Sequence, residues 1–248
     1  MLKLELSHLA KDGERIQQLY GKRDELLDGI FEGQYGSDLE IQLERELDVA
    51  LEQKHHVDQA FFRWKQAHIH ARQASVQVQR AIQRWQDIAN VPIEESEKRY
   101  EMASTTRDFL LEAVGNLANA QRYLPNITFP YCTPEELETL DQAISYIYND
   151  AKSQERHEHA LMCYRSTYRR IMALKQWLEH VLNVTISRDL FEITEECKSL
   201  ANDLRAERTR LIRLKIKEIT GSEDLNGNGS NDLRGIVVFA WVCRLKYE

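Results

Sequence analysis

Residues 57–88 read VDQAFFRWKQAHIHARQASVQVQRAIQRWQDI, and their spacing decides the fold class. With Val57 at heptad position a, the a series is Val57, Trp64, Ala71, Val78 and Trp85. The d series is Ala60, Ala67, Ala74, Ala81 and Ile88. Apolar side chains recurring at intervals of three and four residues fall on one stripe of an α-helix. The next position adds Phe61, His68, Ser75, Ile82 and Ala89, which widens the stripe beyond a two-stranded seam toward the face of a helical bundle. The row of alanines lets a neighbouring backbone approach closely, while Trp64 and Trp85 fill the wider gaps between layers. This pattern predicts an antiparallel helical partner.

The same register continues upstream through Leu43, Leu47 and Ala50, although Lys54, His55 and His56 loosen it. From Asp38 to Asn90 there is no glycine or proline, which allows about 53 residues of helix, or roughly 80 Å. Ser37 and Glu40 have capping-box spacing at its start. Before them, Leu4 to Ile30 forms a helical segment that ends at Gly33 and Gly36, residues suited to a left-handed turn. After Val91 and Pro92, the acids Glu94, Glu95 and Glu97 open a third helix with apolar contacts from Tyr100 to Leu117. Residues 124–132, LPNITFPYC, are apolar enough to pack as a loop over a bundle end. Thr133, Pro134 and Glu136 then start a helix that runs to about Leu182, interrupted by a polar stretch from Lys152 to His159. A break near Asn183 to Ser187 leads into a last helix ending at Gly221.

These segments predict an all-α chain, an elongated antiparallel helical bundle or coiled coil with two or three very long helices. The expected helices span about 4–32, 38–90, 92–123, 134–182 and 188–220 within one unit, 1–220. Residues 221–248 read as a flexible tail, rich at first in Asn, Gly, Ser and acids, with the short apolar segment Ile236 to Cys243 near its end. That segment is too short to cross a membrane, which takes roughly 20 apolar residues.

Composition agrees with rods. The 248 residues include only 10 Gly and 4 Pro, which disfavours a turn-rich β fold. The formal charge of -7 works against general nucleic-acid binding. Cys132, Cys163, Cys197 and Cys243 are too far apart for a zinc knuckle or redox turn and read as buried reduced thiols. The first residues have no continuous apolar run and carry Glu5, Asp12 and Glu14, unlike a secretory or transit leader. A cytoplasmic location is the expectation, and under it the sequons at Asn126, Asn183 and Asn228 are chance matches.

One cluster invites a binding role. Arg205, Arg208, Arg210, Arg213, Lys215 and Lys217 form a basic run containing a single acid, Glu207. Either it meets an anionic partner, or it is a solvated helix face whose cations favour the dipole at a helix C-terminus. The histidine pairs His55/His56, His68/His70 and His157/His159 have spacings that point away from one another on a helix. Glu52 and His55 match half of a di-iron motif, but no second copy exists. Asp224, Asn226, Asn228 and Asp232 sit at calcium-loop positions, with Gly235 where the closing glutamate belongs. No phosphate loop, nucleophile elbow, zinc-protease helix or kinase set is present.

The expected function is therefore a non-enzymatic cytoplasmic coiled-coil scaffold or adaptor that holds protein partners through helix faces, with a homodimer possible and no cofactor, metal or nucleic acid required. The alternative is a regulatory helical hairpin binding a small GTPase or vesicle-trafficking component, through the polar stretch at 152–159 or the basic run. Two further readings, a curved membrane-binding dimer and a di-metal four-helix oxidase, have less in the sequence behind them.

Overall fold

The computed structural model describes residues 2–31 and 36–220, and among these no strand occurs. The chain is all-α: α1 (Leu2–Phe31), α2 (Asp38–Ile88), α3 (Ser96–Tyr123), α4 (Pro134–Asp150), α5 (Gln154–His180), a π-helical stretch (Val181–Ile186) and α6 (Ser187–Thr220). The tail from residue 221, with its calcium-like loop, Cys243 and the Asn228 sequon, lies outside the described residues, as does Gly33. None of the described helices is long and apolar enough to cross a membrane.

The described residues group into two compact units. Lys54–Glu192 make up one; the residues up to Gln53 together with those from Ile193 onward make up the other. The core of the Lys54–Glu192 unit follows the heptad count closely. Ala67, Ala71, Ala74, Val78, Ala81, Trp85 and Ile88 of α2 are all wholly buried. They pack in one cluster with Leu110, Ala113 and Ala120 of α3, Leu140 and Ile147 of α4, and Tyr164, Ile171 and Leu174 of α5. Alanines of both α2 and α3 enter this cluster, and Trp85, Tyr164 and the leucines supply its bulk.

Three boundaries differ from the sequence reading, each for a physical reason. α2 ends at Ile88, and α3 starts at Ser96 instead of 92. The connection is held by Arg99, only 6% exposed, whose Nη1 donates to the carbonyls of Ile88 (3.0 Å) and Val91 (2.6 Å). The helix expected over 134–182 is two helices, because the chain turns at residues 151–153. Arg99 is again responsible: its Nε and Nη2 donate to the Ala151 carbonyl at 3.0 and 2.7 Å. One buried guanidinium thus satisfies carbonyls at or just beyond the ends of α2 and α4, where helix dipoles favour a cation.

The expected break at 183–187 is instead a continuous widened turn. Leu174, Leu178, Leu182 and Ile186 are all buried at intervals of four. On a regular helix each such step overshoots by about 40°, so the apolar line would drift round the surface. A turn closed between residues five apart corrects that drift. The Ser187 hydroxyl donates to the Leu182 carbonyl at 2.8 Å within it.

The connection after α3 packs as expected, since Leu124, Phe129 and Cys132 join the core and Gln121 Nε2 donates to the carbonyls of Leu124 and Ile127. The cap of α4 also matches the sequence: Glu136 accepts the Thr133 N–H at 3.0 Å, with Pro134 in the first turn.

Candidate functional site

α6 places the six basic residues on a helix that shares a unit with the start of α2. Here the contacts are ionic. Gly36, at φ +116, turns the chain into α2, and a side chain there would press on the Glu40 carboxylate. Ser37 Oγ accepts the Glu40 N–H at 3.1 Å, as a cap should. Glu40 does not complete the capping box in the way its spacing predicts. Its carboxylate, 3% exposed, accepts Arg208 Nε at 2.7 Å, and Arg208 Nη2 donates to Glu44 at 2.9 Å. The Ser37 hydroxyl donates to Glu207 at 2.7 Å, and Glu207 also takes a two-pronged pair from Arg210 at 2.7 and 2.6 Å. Arg210, and then Ser37, hold the Glu207 carboxyl at about 2, well below the usual carboxylate range.

The basic run therefore divides. Arg208 and Arg210 are engaged by carboxylates of their own chain, and Lys215 donates to Glu218 at 3.1 Å. Arg205, Arg213 and Lys217 have no ion-pair partner among the described residues. Arg205 is half-buried, and its Nε lies out of contact with solvent and without an acceptor. Arg213 and Lys217 are exposed, on the side of α6 turned away from buried Leu204. These three, with Ala206, Thr209 and Leu214, line a shallow cavity of about 470 Å³.

The histidines behave differently. His157 lies in the stretch read as polar throughout, yet it is 2% exposed. Its ring stacks on Trp85 at 4.9 Å; Trp85 Nε1–H donates to the His157 carbonyl at 3.0 Å, and His157 Nε2 donates to the Trp85 carbonyl at 2.7 Å. That residue is a core bolt and is not offered to a partner. Burial pulls His68 below its ordinary value, with the Glu179 carboxylate 4.0 Å away acting against the shift. His70 bonds Asn116 at 3.0 Å, and His55 accepts Gln59 at 2.7 Å. Among the described residues no group of three or more His, Cys, Asp or Glu is arranged to hold a metal. Cys132 and Cys197 are buried and Cys163 is half-buried; burial, then Glu136, pushes the Cys132 thiol up to about 12.

Sequence reasoning missed Arg99 and His157, because nothing in EESEKRYE or SQERHEHA distinguishes a buried polar side chain from its solvated neighbours. It also missed Glu40 and Glu44 as partners of Arg208, although the Ser37 cap marked the place. Compared with protein-family models, curated proteins and solved structures, the chain matches none of them.

Proposed function

We propose that this chain is a non-enzymatic cytoplasmic scaffold or adaptor, an elongated antiparallel helical assembly whose helix faces dock protein partners. One observation carries the reading. α2 bears a second apolar row, Phe62, Ile69 and Val76, at heptad spacing on the side opposite its buried alanines, and these side chains are 56%, 37% and 41% exposed. An exposed row repeated every seven residues matches the seam by which one helix receives another. Lys65 and Arg72 flank it, as basic residues flank a helix-docking groove.

The test has two stages. Proximity labelling in cells supplies candidate partners, and each purified candidate is then titrated against the wild-type chain and the Phe62→Glu/Ile69→Glu variant. A partner that binds the wild type directly and loses at least tenfold in affinity for the variant supports the role. Candidates that bind neither protein, or both alike, count against it. Gel filtration with light scattering checks the shape: elution well ahead of a 29 kDa sphere is the expected result.

A further inference from the structure

Three places stand out once the core is set aside: the exposed row on α2, already used above, the apolar side chains Leu6, Leu9 and Ile16 left exposed on α1, and the unpaired cations of α6. Only the last carries information about the chemistry of its occupant. We propose that the α6 face built on Arg205, Arg213 and Lys217 receives an acidic amphipathic helix from a partner protein. This inference rests on the docking role proposed above and names a separate surface for it.

The argument starts from which charges are spent. Of six basic side chains in the run, Arg208, Arg210 and Lys215 meet carboxylates in the same chain, and among the described residues Arg205, Arg213 and Lys217 do not. The unspent three are eight and four residues apart, which on a helix is about 12 and 6 Å. Round the helix they stand about 80° and 40° apart, so Arg213 and Lys217 share one edge and Arg205 lies across the strip from them; a second helix lying over that strip would bring carboxylates to both sides of it. Guanidinium groups take a carboxylate through two parallel hydrogen bonds, which suits exposed Arg213 to an acidic side chain. Between and beside the cations lie Ala206, Thr209 and Leu214, the leucine 51% exposed. A ligand for this face needs an apolar strip next to its charges, which favours an amphipathic helix over a simple polyanion.

The probe is a synthetic helical peptide bearing a leucine row flanked on both sides by three glutamates spaced eight and four residues apart. An isomer of identical composition with its glutamates distributed round the helix, and phosphatidylserine vesicles, serve as comparisons. Titration uses the full chain, the Arg205→Gln/Arg213→Gln/Lys217→Gln variant, and Lys215→Gln, whose partner Glu218 is internal; circular dichroism confirms that each variant keeps its helix content. The expected result is saturable binding of the matched peptide that weakens with salt, is at least tenfold weaker for the isomer and for the triple variant, and changes less than twofold for Lys215→Gln. Equal binding of both peptides, binding unaffected by the triple substitution, no binding, or binding only to vesicles would each overturn the proposal. Partners from proximity labelling that respond to Phe62→Glu/Ile69→Glu but ignore the triple variant would leave the scaffold role standing while removing this face from it.

Discussion

α2 is held in two different ways along its length. Between Ala67 and Ile88 its contacts are dry: wholly buried alanines, Trp85 and aliphatic side chains from three other helices. Between Ser37 and Gln53 few of its residues are buried, Glu40, Leu47 and Ala50, and alongside the apolar residues a charged network of Ser37, Glu40, Glu44, Glu207, Arg208 and Arg210 joins it to α6. The buried face also shifts: positions a and d are buried between Ala67 and Ile88, whereas upstream Ala50 at a and Glu40 and Leu47 at e are buried and Glu46 and Gln53 at d are exposed. Periodicity therefore marks an inward side of a helix, but not the chemistry of what it meets. A dry, close-packed region should lose stability through volume changes at any pH, and an ionic region through charge changes with a marked pH dependence.

The largest effect is expected at the centre of the dry region. Trp85→Ala removes a wholly buried ring, its stacking on His157, the indole N–H bond to the His157 carbonyl and the edge contact with Tyr164, and should lower unfolding stability by about 4 kcal/mol in urea titrations. A loss below about 1 kcal/mol would mean that the core is not packed around it. Arg99→Ala should follow at about 3 kcal/mol, because carbonyls at Ile88, Val91 and Ala151 lose their shared donor. Arg99→Lys should recover only part of this, since an ammonium cannot span the same acceptors. Overpacking tests the alanine row: Ala74→Leu should cost about 2 kcal/mol, whereas the same change at exposed Gln73 should cost almost nothing.

In the ionic region the expected losses are smaller. Arg208→Ala leaves the Glu40 carboxylate buried without its cation and should cost about 2 kcal/mol at neutral pH. Glu207 supplies the pH signature. Its folded carboxyl titrates at about 2 against an ordinary 4.5, so the folded chain binds fewer protons than the unfolded chain between those values. Its contribution is present above about 4.5 and fades as pH falls toward 2. Thermal melts of the wild type should therefore lose an increment over that window that Glu207→Gln lacks; identical pH profiles would show that the network adds no stability.

Much of the fold was legible because burial on a helix follows simple periodicity. The alanine and tryptophan positions of α2, the Thr133–Glu136 cap and the packed connection at 124–132 were all readable that way. What escaped reading depends on single polar side chains acting at a distance in sequence. Arg99 ends two helices by satisfying carbonyls 8, 11 and 52 residues away, and no local pattern encodes such a reach. The widened turn at Val181–Ile186 was mistaken for a break because Asn183, Thr185 and Ser187 look like cap residues, while the spacing of four from Leu174 to Ile186 held the better clue. At the candidate site the sequence located the cations but could not separate the spent from the unspent, since Glu40 and Glu44 lie more than 160 positions away.

The stacked pair of Trp85 and His157 has an optical consequence. Trp64, Trp85 and Trp177 all belong to the Lys54–Glu192 unit, whereas the described residues of the other unit contain no indole. Trp85 is sealed from water beside an imidazole at 4.9 Å, and Trp64 lies 5.3 Å from Trp177. With the fourth indole, Trp241, replaced by phenylalanine, intrinsic emission is a gauge of that unit, and when its trace and the ellipticity at 222 nm part company during a melt, the gap between the two curves reports the helices that fluorescence does not watch.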